Sequence, residues 1–428
     1  MGSASTRAAA ALVAALAVIA AGCDWGQVGY GPGHTSHNPT ETVLTPDTVA
    51  GISPVWSRFE APNDMSAPVA AGGRVFLTVG GDVVALDLVT GAVAWRRELY
   101  PDSDVFPVPQ PGVPRAGLGD PAVADGRVYV PYRSAQPTCI EDLACTWELA
   151  GGVATFAADD GTPLVDTPWQ TGVPSEAVVI GTAHGGYVIA RAADFDGANF
   201  SPGSEVIVHR VRDGVRWTLA SNILPALDER QEHLVTAIGA TVRAHELGCA
   251  GPRCVRAWTY EAGGTVAGVA TDGGSVYVTT TAGEVAVLDA ASGAVRWTAA
   301  VTGPVSSAPA VAAGVVYVAG GDILSVVAPC GTPTCAPAWT AQAGGPLPVQ
   351  PVVAGGLVYV SEATWYEPYP TQIPATRGLV YPTAGCGAAT CEPVARTELT
   401  IGAPAPSLVA DGTLVLAGDV AVRAFRLP

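Results

Sequence analysis

The chain contains no lysine. Its 21 basic residues are all Arg and stand against 38 acidic residues, so the net charge at pH 7 is −17. Only 14% of the 428 residues are charged. An acidic surface repels nucleic-acid phosphates and anionic headgroups. The composition therefore argues against a nucleic-acid partner and against binding of anionic lipid through the folded domain.

Catalytic signatures are also missing. The chain has no H-E-x-x-H, no G-x-S-x-G and no P-loop, and its six His do not cluster with Cys or acids at ligand spacing. His34 and His37, in GHTSHNP, predict a solvated loop rather than a metal site. The run DFDGAN from Asp194 places carboxylates two apart, as in Ca²⁺ loops, but lacks the fuller EF-hand spacing, which favours an Asp-Gly turn. We expect no metal, no cofactor and no catalytic residue.

Long hydrophobic runs are absent except at the N-terminus. Residues 8–22 form an apolar stretch behind Arg7, shorter than the roughly 20 residues of a membrane span but typical of a signal peptide. It ends in Ala-Ala-Gly-Cys23, which resembles a bacterial lipobox with a lipidated Cys; the alternative is an ordinary signal peptide with a chance Cys. We expect a signal peptide over 1–22, a lipid-anchored leader or linker over 23–42 and a folded domain over 43–428. The protein would lie on the outer face of a bacterial cell membrane.

The other eight Cys fall into four local pairs. Three pairs have the spacing C-x4-C, at turns between two short apolar runs, where a Cys on each side can reach bridging distance. Zinc sites, the alternative, prefer C-x2-C knuckles gathered as four ligands, and these pairs lie too far apart to share an ion. We therefore expect disulfides, typical of an oxidising compartment, within the pairs Cys139/Cys145, Cys249/Cys254, Cys330/Cys335 and Cys386/Cys391.

A repeated unit is the most informative feature that is present. One copy reads AVLDAASGAVRW and ends at Trp297; another reads VVALDLVTGAVAW and ends at Trp95. Upstream lies a partner pattern such as SAPAVAAGVVYVAG. Alternating apolar residues between Gly-rich turns predict short antiparallel strands, and their recurrence every roughly 40 to 55 residues predicts a repeat array. Four strands per repeat indicate an all-β fold, a β-propeller.

The repeats predict eight blades, whose strands run A to D from the central channel outward. Seven are complete: 64–100, 117–172, 175–221, 224–262, 263–301, 304–343 and 346–402. Residues 403–428 supply three strands, and ISPVWSRFEA at the N-terminus supplies the fourth, with Trp56 at the repeat position. We expect residues 54–61 to pair with the strand ending at Leu427, which leaves no open edge. Each repeat Trp is expected to pack on the neighbouring blade rather than to bind a ligand.

Four insertions indicate a binding face. Residues 101–116 would form a D–A link, and 134–150, 194–204 and 364–377 would form B–C loops on the same face, opposite the C-x4-C turns. Loops gathered on a rigid scaffold commonly bind partners. The insertion 364–377 is the richest in aromatics and Arg, so we take as the candidate partner site Trp365, Tyr366, Tyr369 and Arg377. The alternative is a loop that folds over the channel mouth.

The unit A-x-D-x-x-T-G-x-x-x-W, from Ala85 to Trp95, resembles the tryptophan-docking motif of pyrroloquinoline quinone (PQQ)-like propellers. The resemblance extends over residues 38–428 and is specific for the fold rather than for an activity. This superfamily includes quinoprotein dehydrogenases and non-catalytic envelope lipoproteins. The catalytic members would imply a disulfide between adjacent Cys, a Ca²⁺ site, a base Asp and in some a Lys near the quinone. Here no two Cys are adjacent and no Lys exists.

The sequence thus favours a monomeric envelope lipoprotein that serves as a binding or scaffold module. Its partner would be an envelope protein or a glycan, and it would meet the membrane through the lipid anchor only. The alternative is a PQQ-dependent dehydrogenase of alcohols or sugars, and a third candidate is a hydrolase without a known motif.

Overall fold

We describe a computed structural model of the chain. The described residues are 24–59, 65–99, 117–140, 144–164, 169–170, 175–181, 186–195, 200–228, 230, 232–248, 255–366 and 373–428. Eight antiparallel sheets form the blades of a β-propeller, which confirms the predicted fold. The described helical content is a single 3₁₀ turn, Val49–Gly51. No helix in these ranges is long and apolar enough to cross a membrane.

The first four blades follow the chain in order. In blade one, strands A to D are Val69–Ala71, Arg74–Val79, Asp82–Asp87 and Val93–Glu98. In blade two they are Ala122–Ala124, Arg127–Ile140, Ala144–Ala157 and Trp169–Gln170, with Gly117–Leu118 added beside strand B. In blade three they are Ser175–Gly181, Tyr187–Phe195, Phe200–Arg210 and Val215–Ala220. In blade four they are Ala226–Asp228, His233–Ile238, Thr241–Glu246 and Arg256–Glu261.

The last four blades complete the ring. In blade five, strands A to D are Val266–Thr271, Ser275–Thr280, Glu284–Asp289 and Val295–Ala300. In blade six they are Ala310–Ala312, Val315–Gly320, Ile323–Val327 and Trp339–Gln342. In blade seven they are Val352–Ala354, Leu357–Tyr366, Ile373–Pro382 and Ala395–Arg396, with Thr400–Ile401 added beside strand C. In blade eight they are Pro404–Ala410, Thr413–Gly418, Ala421–Arg426 and Ser53–Phe59.

The burial pattern follows this radial order. The A strands of neighbouring blades contact one another around the central channel, and strand B of blade one is buried over nearly its whole length. Strand D of blade one, on the outside, buries only Trp95 of its six residues. The ring is closed by strand Ser53–Phe59, which pairs antiparallel with Ala421–Arg426, as predicted. This pairing places the chain's two ends in one sheet and removes an open edge.

The repeat Trp joins neighbouring blades wherever the described residues show its contacts. The indoles of Trp95 and Trp258 donate hydrogen bonds to the carbonyls of Ala158 and Ala290 in the following blades, at 2.9 Å each. A Cβ on Gly161, in the C–D turn of blade two, would lie 2.6 Å from the Trp95 ring. A Cβ would lie equally close to an indole ring, at 2.6–2.8 Å, on three other turn glycines: Gly91 beside Trp56, Gly293 beside Trp258 and Gly385 beside Trp339. The turn glycine, with its positive φ, is therefore required at these positions because it both bends the chain and leaves room for the preceding blade's indole.

The propeller has two faces. We call the face with the A–B and C–D connections the turn face; residues 72–73 and 88–92 lie on it in blade one. We call the face with the B–C connections and D–A links the hairpin face. The two faces differ because the strand ladders of blades two, three and seven extend far into their B–C hairpins.

The structure contains two of the four predicted disulfides. Cys330–Cys335 and Cys386–Cys391 close C–D turns on the turn face, with Cα atoms 5.7 and 5.6 Å apart, as predicted for these pairs.

The other two predicted pairs are not tested. Cys139 and Cys145 lie directly opposite each other in the strand ladder of blade two, but their side chains lie outside the described part. Cys249 and Cys254, expected to bridge the C–D turn of blade four, both lie outside the described residues. The bonds Cys139–Cys145 and Cys249–Cys254 therefore remain predictions.

The residues expected to form a linker take part in the fold. Residues 24–41, which we call the leader strap, follow the channel wall at the turn face and contact the blades in order from one to eight. Trp25 pairs with Ala70 of blade one, and Gln27 exchanges two hydrogen bonds with Ile180 of blade three. The blade two amide of Val123 donates to the strap carbonyl of Gly26.

The strap continues over the other half of the ring. Strap carbonyls accept hydrogen bonds from the amides of Leu227, Thr271, Val311 and Val353 in blades four to seven, at 2.7–2.8 Å. The side-chain amide of Asn38 donates to Val409 of blade eight at 2.8 Å. These blade residues hold the same place near the end of strand A. Their backbone groups face the channel, where a buried amide needs a partner, and the strap supplies one in every blade.

Substitution of Gly161 tests the docking of indole on glycine. Gly161 and Gly126, both in turns of blade two, have φ of +70°, but a Cβ on Gly126 would meet nothing within 4 Å. Ala at either site is strained by the positive φ, and only Gly161→Ala also displaces Trp95. We expect Gly161→Ala to lower the free energy of unfolding by about 1–3 kcal/mol more than Gly126→Ala. Denaturant titration of both variants measures the difference, and equal losses would contradict the docking role.

Candidate functional site

Three long B–C hairpins rise on the hairpin face. Sequence alone predicted loops over 134–150, 194–204 and 364–377, and this was wrong for the described parts of those segments, because the strand ladders continue into them. In blade two the pairing runs from Arg127 opposite Ala157 to Ile140 opposite Ala144. In blades three and seven it reaches Phe195 opposite Phe200 and Tyr366 opposite Ile373. The insertions therefore form stiff arms; the predicted link 101–116 lies outside the described residues.

The blade seven arm carries the predicted partner residues. Trp365 and Tyr366 are 56% and 46% exposed near its tip, and Tyr369 lies in 367–372, outside the described residues. Successive residues of a strand point to opposite faces, so the two aromatic rings lie on opposite faces of the arm. Pro374 pairs with Trp365 and is exposed beside it. The arrangement offers one apolar patch on each face of the arm.

Arg377 is separated from the aromatic tip. It lies directly opposite Glu362 in the ladder, and its guanidinium contacts the Glu362 carboxylate at 3.6 Å. Glu362 is buried and also accepts a hydrogen bond from the Gly344 amide at 2.6 Å. Arg377 therefore neutralises a buried carboxylate at the base of the arm. The sequence grouped it with the aromatics by proximity along the chain, which strand geometry does not preserve.

A cavity of about 360 Å³ occupies the channel behind the strap. It is lined by strap residues Val28 and His34 and by the channel ends of blades three to eight, with Arg191, Ser307 and Gln350 among its polar residues. Gln350 donates hydrogen bonds to the carbonyls of His34 and Pro309. Sequence reasoning missed this cavity, because its walls come from residues far apart in the chain.

His34 is the buried histidine of the strap. It is only 4% exposed, so the prediction that it stands in a solvated loop was wrong. Burial lowers the pKa of His34 to about 4, outweighing the contacts with the carbonyls of Val28 and Pro225, which act in the opposite direction. Near neutral pH the imidazole is therefore uncharged. Its backbone has a φ of +52°, an uncommon conformation for a non-Gly residue that reflects the tight course of the strap.

A second titratable group lies at the other end of the channel. Asp120, at the start of blade two, accepts a hydrogen bond from the Ala67 amide of blade one at 2.8 Å. Burial raises the pKa of Asp120 to about 6, although Arg133 and Arg191 act in the opposite direction. The carboxylate joins two blades, and the arginines offset part of the cost of its burial. No nucleophile lies among these contacts, so they give no catalytic set.

Comparisons with known proteins place the chain in a family. The family model described as outer membrane protein assembly factor BamB matches residues 48–244 and 255–365. These ranges cover most of the chain, which therefore belongs to this family of PQQ-like propellers. No curated protein matches it.

Solved structures share the fold. A quinohemoprotein alcohol dehydrogenase from Comamonas testosteroni is 13% identical, with a TM-score of 0.61 over 97% of this chain and 83% of that one. A europium-containing methanol dehydrogenase is 12% identical, with a TM-score of 0.59 over 95% and 98%. BamB from Moraxella catarrhalis is 13% identical, with a TM-score of 0.55 over 88% and 97%. At such low identity these similarities show the fold alone.

The quinone and Ca²⁺ of the dehydrogenases do not fit the residues described here. Within the described ranges no three His, Cys, Asp or Glu side chains gather where they could hold a metal ion. The channel cavity is lined mainly by apolar and small side chains, and Arg191 is its one guanidinium. The two described disulfides lie in C–D turns rather than at the cavity. We derive no chemical step through a quinone.

The strap predicts a pH dependence of stability. His34 titrates near pH 4 in the folded protein and near 6.5 when unfolded, so the unfolded state binds more protons in this window. The free energy of unfolding therefore falls as the pH drops from 6.5 toward 4. His34 should account for about 2 kcal/mol of the loss between pH 7 and 5, on top of the losses from His209 and His245, whose pKa values are also lowered to about 4.

The variant His34→Asn tests this contribution, because Asn tolerates the positive φ and does not titrate. Denaturant unfolding at pH 7 and pH 5 should show that the variant loses about 2 kcal/mol less than the parent on acidification. If the variant loses as much free energy of unfolding between pH 7 and pH 5 as the parent does, His34 is not a buried neutral group.

Proposed function

We propose that this protein is a membrane-anchored extracytoplasmic lipoprotein whose propeller serves as a binding or scaffold module in the cell envelope. The observation that carries the proposal is the exposed aromatic pair on the strand-paired arm of blade seven. Trp365 and Tyr366 expose about half of their side chains at the end of a ten-residue strand. Aromatic side chains held rigidly in solvent are typical anchors of protein interfaces, because their burial costs little conformational entropy.

The position of the arm supports a docking role. The arm projects on the same face as the arms of blades two and three, and its base is held by Thr400–Ile401 and by the ion pair of Glu362 with Arg377. A partner that contacts both faces of the arm would bury Trp365 on one side and Tyr366 on the other. An envelope protein or a glycan fits this chemistry, since both are bound by aromatic side chains.

The anchor is proposed from the lipobox before Asp24. The family description names a protein of outer-membrane assembly, and that printed role supports an envelope location for this chain. The two described disulfides agree with an oxidising compartment. A PQQ-dependent dehydrogenase is the alternative, but the described residues do not form its metal site. Turnover of an alcohol or sugar by the purified protein with added quinone and Ca²⁺ would favour the dehydrogenase over the binding module.

Replacement of the lipobox cysteine tests the anchor. In a bacterial host the parent should be recovered in the membrane fraction, with mass spectrometry showing a diacylated N-terminal Cys23. Cys23→Ser should lose the modification, because the thiol that carries the lipid is absent. A parent protein that is cleaved elsewhere and carries no lipid would refute the anchor.

Photo-crosslinking tests the docking arm. A photoreactive residue at position 365, on the hairpin face, should capture an envelope component that the same residue at position 55, on the outermost strand of blade eight, does not. Val55 is a matched control because it is 46% exposed and belongs neither to the arm nor to the turn face. Trp365→Ala combined with Tyr366→Ala should weaken binding of the captured component at least about tenfold, as expected for loss of two aromatic anchors. Unchanged affinity would exclude the arm as the binding site.

A further inference from the structure

The turn face carries most of the exposed apolar side chains. Of the twelve large apolar residues that are exposed in the described part of the chain, seven are Val in or beside its turns. Each of the seven is 42–63% exposed: Val43, Val89, Val93, Val211, Val255, Val295 and Val394. They come from blades one, three, four, five and seven and, for Val43, from beside the A–B turn of blade eight. The apolar side chains therefore surround this face rather than form one patch.

The leader strap leaves the propeller at the same face. Asp24, the first described residue, accepts a hydrogen bond from the amide of Gly72 in the A–B turn of blade one, at 2.9 Å. Trp25 follows, fully buried and paired in both directions with Ala70 at 2.7 and 2.9 Å. The N-terminal end of the strap is thus fixed at the turn face by backbone pairing.

The chain between this fixed point and the proposed anchor is short. Cys23 precedes Trp25 by two residues, and two fully extended residues span at most about 7 Å. We propose that the turn face lies against the lipid bilayer, with its Val side chains at the headgroups, and that the three arms point away from the membrane. The inference rests on the lipid anchor of the proposed function and adds the orientation of the propeller.

Charge attraction does not hold the turn face on the membrane. The Asp87 carboxylate accepts hydrogen bonds from the hydroxyl and amide of Thr90, which lower its pKa. Arg296 and Ser292 likewise lower the pKa of Asp289 to about 2. The Asp87 carboxylate repels anionic lipid, and the Arg296 guanidinium, which would attract it, is paired with Asp289 at 2.7 Å. The tether and the apolar rim, rather than charge, must therefore hold the face on the membrane. Uncharged lipid is therefore the correct probe.

Energy transfer to the membrane surface measures the orientation. The full chain, made in a host that acylates it, is reconstituted in phosphatidylcholine vesicles with an acceptor dye on the headgroups. Donor dyes are placed through Val89→Cys on the turn face or Trp365→Cys on the blade seven arm, two sites of similar exposure. Strand B of blade seven has ten residues, so the arm tip should lie roughly 30 Å farther from the bilayer. Transfer should be several-fold greater from position 89.

A spacer variant gives the matched control. A Gly-Ser segment of about 20 residues inserted between Cys23 and Asp24 keeps the anchor but lengthens the tether. The longer tether should abolish most of the difference in energy transfer between positions 89 and 365. Equal transfer from positions 89 and 365 in the acylated parent, or stronger transfer from 365, would overturn the orientation and leave the anchor intact. Mass spectrometry of the same samples showing no lipid on Cys23 would overturn the anchor and, with it, the orientation.

Discussion

The backbone hydrogen bonds between the leader strap and the innermost strands are the constraint on which the other features depend. A propeller presents one A strand of each blade to its channel, and the amides and carbonyls along that wall need partners where water is excluded. Residues 24–41 supply partners in every blade, from Ala70 in blade one to Val409 in blade eight. The strap therefore lines the channel at the turn face, and its residues Val28 and His34 form part of the cavity wall.

The strap and the indoles stabilise the ring at different radii. On the outside, Trp95 and its counterparts pack over glycines of the next blade, so each contact joins two neighbours. On the inside, a single segment contacts all eight blades, so separation of any pair disturbs the same strap. The strand Ser53–Phe59 connects the inner strap contacts to the outer indole contacts, because it follows the strap in sequence and closes the outer ring with Trp56. The N-terminal residues thus contribute to closure at both the channel and the rim.

The periodic features of the fold could be predicted from sequence, and the non-periodic ones could not. The Trp positions and the alternating strand patterns between Gly-rich turns repeat with the blade, so they indicated eight blades and the closing strand that contains Trp56. The strap has no such signal, because carbonyls of Gly26, Pro32 and Gly33 make its contacts and any residue type carries a carbonyl. His34 accordingly resembled a residue of a solvated loop, although it is buried against Pro225 and its carbonyl accepts a hydrogen bond from Gln350, both far from it in sequence.

The candidate site, like the fold, could be predicted from sequence only in part. Sequence identified the exposed aromatic pair, since the insertion 364–377 is the richest of the four in aromatics and Arg. It did not show that the segment is a continuous hairpin, in which adjacent residues face opposite ways and Arg377 pairs with Glu362. Register decides these relations, and one sequence does not specify the register of a long insertion.

Native-state hydrogen exchange at the strap's partner amides measures whether the strap holds the channel wall. The amides of Leu227, Thr271 and Val311 donate to strap carbonyls, so we expect them to exchange only through global unfolding of the propeller. The amide of Thr90, bonded to an exposed turn carboxylate, should exchange far faster through local opening. Exchange of the three strap-bonded amides as fast as that of Thr90 would show that the strap does not hold the channel wall.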